Sequence, residues 1–346
     1  MSSSTAFDRR GALSALVAAL AASGVVMWLL YAFIPYATGY GDQRVTILHF
    51  ASRLWEGEDW QHCYLVPLAF AGMIYWQRER FKLEDMRGSA LAGLPVLMGA
   101  LLVYWVGFRA DNVYVGYFSF QILTGGLILW FFGWHWASLL AVPWLFLFFL
   151  YPLPFLDNIV AFPLRMVMSE ASVATLNFLG VGAIKTGTGI LSAPDLVAGL
   201  KAGQRFSVDV ADPCSGIRSL FALMMVSTLY GYFSLKKGWQ RVILFLCSIP
   251  LAVIGNLVRI LMLTFGVIAM GPALAIGTLE KPSFFHMLAG YLVFAVALAG
   301  MLGAAWALNA DWKQIFGKTR AGVRRATTAS PASAGKTRQE KSQDEY

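Results

Sequence analysis

Charge is the first thing this chain lacks. Only 13% of its 346 residues are Asp, Glu, Lys or Arg, about half the share usual in soluble domains, and 58% are hydrophobic. Apolar stretches of about 18 residues or more recur along its length, which excludes an ordinary soluble core and marks a polytopic membrane protein. Cysteine is scarce too. Cys63, Cys214 and Cys247 are too few and too scattered for a disulfide framework or a Cys-based zinc site. The four histidines show no His-Glu-x-x-His spacing, and no Gly-Lys-Ser/Thr phosphate loop is present, so neither a metal nor another cofactor is expected. The net charge of +8 lies mainly in short loops and the tail. That placement follows membrane topology and gives no reason to expect a nucleic-acid partner.

The fold expected is therefore an all-α polytopic membrane protein in contact with lipid. About eight transmembrane helices of some 20 apolar residues fit roughly at 12–35, 61–77, 89–107, 115–133, 135–152, 215–234, 241–264 and 286–308. The apolar run after Arg9 and Arg10 continues through Val25–Pro35, too long for a signal peptide, so it reads as a retained first helix. Arg78, Arg80, Lys82 and Arg87 crowd one loop, and Lys236, Lys237 and Arg241 another. With residues 1–11 and a polar, basic tail at 309–346, these loops define the cytoplasmic side. The tail is expected to be disordered. A tight turn near His135 would join the fourth and fifth helices. Residues 158–182 contain Arg165, Ser169 and Glu170. A span there would turn Lys236, Lys237 and Arg241 outward, so an interfacial or re-entrant helix is expected.

Within the membrane domain, residues 12–308, the longest non-helical insert covers about 183–213. Phe206, Val208 and Val210 alternate with Arg205, Ser207 and Asp209, the period of a strand. Gly187 to Leu191 offers a partner, so a small external β-hairpin is expected to lead into Cys214.

Cys214 opens the sixth expected helix from the outer side. On this topology the seventh helix brings Arg259 to the same side in its last third, with Asn256 one turn earlier, and the eighth begins there at His286. The residue types suit one chemistry. A helix N-terminus favours thiolate over thiol, His can move a proton, and Arg can bind an oxyanion. Together they can run acyl transfer through a thioester. Simpler readings exist for each: Arg259 can snorkel to the interface, and His286 can merely cap its helix. Arg218, one turn after Cys214, either shares the oxyanion role or stabilises the thiolate. His62 either lines this site from another helix or forms a second one with Cys63, although adjacent side chains on a helix diverge by about 100°. Cys247, in mid-helix, reads as a small apolar filler. A transporter or channel that binds an anion through Arg259, Arg218 and His286 is the rival reading, although no internal repeat of broken helices supports it.

The segments Cys214-Ser215-Gly216, Asn256-Leu257-Val258-Arg259 and Phe285-His286 with Gly290 resemble the three signature segments of the exosortase/archaeosortase family. Gln61 to Leu68, followed by the basic stretch after Trp76, is similar to the family's early His-Gly segment, with Cys63 standing where glycine is usual. The resemblance covers most of residues 45–308. It implies a multispanning, transpeptidase-like cysteine protease of the bacterial inner membrane. Its partners would be exported proteins bearing a C-terminal signal: a short motif such as Pro-Glu-Pro, a transmembrane helix and a basic cluster. Cleavage would occur on the periplasmic face, with an acceptor nucleophile that the sequence leaves open. Carried onto this chain, the resemblance makes Cys214 the nucleophile, Arg259 the transition-state stabiliser and His286 the general acid/base. Ser215, Gly216, Arg218, Asn256 and His62 would support them.

Overall fold

A computed structural model describes residues 2–39, 41–57, 59–209, 217–278 and 281–310. In chain order the elements are α1 (Ser2–Trp28, continued as a wide turn to Phe33), β1 (Ala37–Thr38), β2 (Arg44–Val45), α2 (Ile47–Trp55), α3 (Val66–Trp76), α4 (Ala90–Arg109) and α5 (Val113–Phe146). There follow α6 (Phe162–Phe178), β3 (Ala183–Thr186), β4 (Gly189–Ser192), β5 (Ser207–Asp209), α7 (Ile217–Ser234), α8 (Gly238–Met270), α9 (Pro272–Ala275) and α10 (Phe284–Asn309). The expected helical character holds.

Six helical stretches among the described residues are long and apolar enough to cross a membrane: Ser14–Phe33, Ala90–Arg109, Val113–Leu150, Ile159–Phe178, Gly238–Met270 and Phe284–Asn309. The difference from the expected eight has local causes. The 61–77 segment divides into a 3-10 turn, Gln61–Leu65, and the 11 residues of α3, which is short for a crossing of about 20 residues. α7 has 18 residues, with Arg218 in its first turn. The fourth and fifth expected helices are the two arms of α5, which reverse at Gly133, where the tight turn near His135 was expected. Gly133 has φ +78°, and a Cβ there would overlap the Arg87 carbonyl oxygen, so only glycine fits. The two arms then lie antiparallel. Trp144 Nε1 donates to the Gln121 carbonyl at 3.0 Å, and the Tyr151 hydroxyl donates to Gln121 Oε1 at 2.8 Å.

Side-chain contacts define two ends of the bundle. At one, Cys63 Sγ donates to the Phe149 carbonyl at 3.3 Å, Trp55 Nε1 to that of Leu150 at 3.2 Å, and Tyr117 stacks on Tyr151. At the other, Gln77 bonds both Tyr232 and the Leu139 carbonyl, Gln240 Nε2 donates to the Leu308 carbonyl at 2.6 Å, and Arg241 Nη2 donates to the Leu235 carbonyl at 2.9 Å. α3 and α7 thus run parallel from the first end to the second, α8 returns, and α10 descends again. Arg78, Arg80, Lys236, Lys237 and Arg241 all belong to the second, basic end.

α8 is 33 residues long, about 50 Å at 1.5 Å per residue, well beyond a hydrocarbon core of about 30 Å. Its last third is covered by a small sheet and by α6. Ile260, Leu263 and Val267 share one buried cluster with Met168 and Leu176 of α6 and with Ile190 and Val208 of the strands. The sheet has the order β3-β4-β5, all antiparallel, with Ile190 opposite Val208. β5 follows the alternation and β4 lies on its expected partner segment, but the insert is a three-stranded sheet rather than the hairpin expected. Phe206 and Val208 are buried while Ser207 and Asp209 are exposed. β3 was not expected, and its Lys185 forms an ion pair at 3.3 Å with Glu170 of α6. An interfacial or re-entrant helix was expected at 158–182 from Arg165, Ser169, Glu170 and the loop charges, whereas Ile159–Phe178 is long and apolar enough to cross, and Glu170 is engaged by the sheet. Cys214, Ser215, Gly216 and the tail from 311 lie outside the described residues.

Candidate active site

Two glycine-punctuated helices, α8 and α10, supply the site's polar groups. On α8, Asn256 and Arg259 fall one turn apart, so both project toward the same neighbours; Asn256 is only 3% exposed. On α10, Ser283 accepts the main-chain N–H of His286 at 3.0 Å and donates its own hydroxyl to the Ala275 carbonyl at 2.8 Å. Ser283 is therefore the N-cap, and the simpler reading of His286 as a cap is replaced. His286 is the third residue of the helix, and its imidazole is left for other work. Sequence reasoning missed Ser283, although Ser before an apolar run is a legible cap signal.

Arg259 and His286, 27 positions apart, meet directly: Nη2 lies 2.9 Å from His286 Nε2. A guanidinium has no lone pair to offer, so Arg259 donates and Nε2 accepts. The ring proton of a neutral His286 then sits on Nδ1, which is buried with no hydrogen-bond partner among the described residues. Gly290 lies one turn beyond His286 and lets the guanidinium rest against α10. A Cβ at that position would stand 3.4 Å from Nη2, at ordinary contact distance.

α7 approaches this pair from the side. Ser219 and Leu223 line, with Asn256, Arg259 and Gly290, a small cavity of about 30 Å³, enough for about one water molecule. Ser219 is five residues after Cys214 in the sequence. Of the sequence-derived candidates, the structure brings together Asn256, Arg259 and His286, whereas Cys214, Ser215 and Gly216 fall outside the described residues.

Arg218 and His62 belong to a different cluster. Arg218 Nε and Nη2 both reach Asp59 Oδ1 at 3.1 Å. The His62 ring is stacked on Phe221, at 6.1 Å between centroids and 11° between planes. Its Nε2 is buried without a hydrogen-bond partner among the described residues. Cys63, beside it, is fully buried, and its side chain is directed into the core. Asp59 was not foreseen, because 159 positions separate it from Arg218 and no local pattern joins them. No group of three or more His, Cys, Asp or Glu that could hold a metal occurs among the described residues.

Only the comparison with family models returns a match, since no curated protein and no solved structure matches the chain. The model of the transmembrane exosortase matches residues 54–303, a stretch that contains both clusters and the Cys214 segment between them. With its apolar helices, its Arg–His pair and this match over most of its length, the chain belongs to the transmembrane exosortase family.

Proposed function

We propose that this protein is a membrane-embedded cysteine peptidase or transpeptidase that cleaves the C-terminal sorting signal of exported proteins. The observation that carries the reading is the 2.9 Å contact between Arg259 and His286. It places an obligate cation and a proton carrier side by side in a chain of the exosortase family. Cys214 is the nucleophile, Arg259 binds the developing oxyanion and His286 moves the proton.

In this reading the Cys214 sulfur attacks the scissile carbonyl as its thiol proton passes to His286 Nε2, and the carbonyl π electrons pass to oxygen. As that oxygen becomes negative it competes with Nε2 for the Arg259 guanidinium, which releases Nε2 to carry a proton. Collapse of the tetrahedral species breaks the C–N bond. His286 delivers the proton originally held by the thiol to the leaving amine, and the acyl group remains on sulfur as a thioester. Attack by an amine completes transpeptidation, and attack by water completes hydrolysis. The substrate signal is a short motif, a transmembrane helix and a basic cluster, and its helix would lie in the bilayer beside the enzyme's own. The basic end of the bundle, with Arg78, Arg80, Lys236, Lys237 and Arg241, faces the cytoplasm under the positive-inside rule. The Arg259 end and the sheet then face the periplasm.

The anion-transport reading requires Arg218, Arg259 and His286 to act on one ion. It is the weaker one, because Arg218 is directed to Asp59 and lies in the other cluster. Co-expression with an exported protein bearing the tripartite signal separates the readings. Cys214→Ala should abolish processing while the protein still inserts. Full processing by that variant would remove the cysteine mechanism.

A further inference from the structure

Asp59 has no role in the chemistry described above, yet it makes a charged contact with the first turn of the helix that follows Cys214. Arg218 forks both Nε and Nη2 onto one oxygen of Asp59 at 3.1 Å. One turn further along α7, Phe221 packs against His62 and also against Trp60 at 5.3 Å. Three side chains of one short turn therefore hold two residues on a single face of α7. The turn itself is fixed from below: Cys63 N donates to the Trp60 carbonyl at 3.0 Å, Cys63 Sγ bonds the Phe149 carbonyl, and Trp60 is buried in the aromatic core.

The geometry matters because of what lies on the other face. At about 100° per residue, the direction of Arg218 and Phe221 is about 150° from that of Ser219 and Leu223, which line the Arg259 cavity. Gripping one face thus sets the rotation of α7, and the rotation sets which residues face Arg259. The ion pair is half-exposed, with 42% of the Arg218 side chain and 38% of Asp59 accessible. Such a pair adds little to global stability, so orientation is the effect it is suited to supply.

We propose that Asp59 is a positioning residue for the nucleophile helix: through Arg218 it fixes the rotation of α7, and with it the approach of the Cys214 segment to Arg259 and His286. This inference rests on the cysteine-peptidase reading given above. The test uses the full-length protein in lipid nanodiscs with a signal-bearing substrate, measuring kcat and KM. It also follows iodoacetamide labelling of Cys214, assigned by peptide mass so that Cys63 and Cys247 are counted separately. Asp59→Asn and Arg218→Gln should each lower kcat about tenfold with KM within about twofold. The double variant should be no worse than either single one, because the pair acts as one unit. Asp59→Glu, which keeps the charge, should recover turnover to within about threefold, and labelling of Cys214 should change in parallel with kcat. Wild-type turnover in Asp59→Asn, a loss confined to KM, additive losses, or a variant that no longer folds would each overturn the inference. Cys214→Ala separates the two levels. If that variant is inactive while Asp59→Asn is fully active, only the positioning role fails; if it is active, the cysteine reading fails.

Discussion

The two faces of α7 present the same side-chain types in opposite arrangements. On one, Arg259 donates to His286 and itself lines a cavity. On the other, Arg218 is engaged by a carboxylate, and the histidine is stacked on Phe221 and tilted against Trp60. A guanidinium whose partner is a neutral imidazole can be drawn away by a developing negative charge. One that faces a carboxylate is already matched and costs more to move. An Arg and a His near one another therefore do not define a site. The partner of the arginine does.

The comparison breaks most severely at Arg259. Arg259→Ala should reduce signal processing by about a thousandfold, the scale of a lost oxyanion donor. Arg259→Lys keeps the charge without the planar fork and should still cost about a hundredfold. Either rate staying near wild type would make the two arginines equivalent and remove the distinction. Next comes the tenfold loss of kcat expected for Asp59→Asn, read by turnover at saturating substrate.

Smaller effects sharpen the boundary. Gly290→Ala should cost no more than a few-fold, since its Cβ would rest at ordinary contact distance from Arg259. Gly290→Val adds methyl groups toward the guanidinium and should approach the loss of Arg259→Lys. Equal activity of both variants would show that Arg259 does not lean on α10. The smallest effect belongs to the far end of α7, where the Tyr232 hydroxyl meets Gln77 and donates to the Met73 carbonyl at 3.2 Å. Tyr232→Phe should lower stability by about 1 kcal/mol, the scale of a lost hydrogen bond, with processing unchanged. A tenfold drop in processing there would mean that α7 is oriented along its whole length and not from its first turns.

Much of the fold was legible because its signals are local. Apolar runs marked α1, α4, α8 and α10, and the alternation through Phe206 and Val208 marked β5. The reversal of α5 was legible as a tight turn near His135, and the residue that makes it is Gly133, which takes a positive φ against the Arg87 carbonyl. β3 was missed because Ala183–Thr186 shows no marked alternation and becomes a strand by pairing with β4. The 158–182 segment was read from its charges, and Glu170 finds its counter-charge on β3, a partner that local sequence does not announce. Asn256, Arg259 and His286 were singled out from their places in apolar runs, and the fold brings Arg259 against His286. Asp59 was not, since an acid in a loop looks like any solvated charge until a distant arginine reaches it.

The sequence by itself determined that this chain lives in a membrane, roughly where its helices lie, and which residue types could carry acyl transfer. Those properties depend on composition and on spacing along one helix, which are local quantities. Only the tertiary structure decided which arginine meets which partner. Arg259 meets His286 where α8 packs against α10, and Arg218 meets Asp59 where α7 meets the Asp59–Leu65 turn, contacts between residues 27 and 159 positions apart that no local pattern joins.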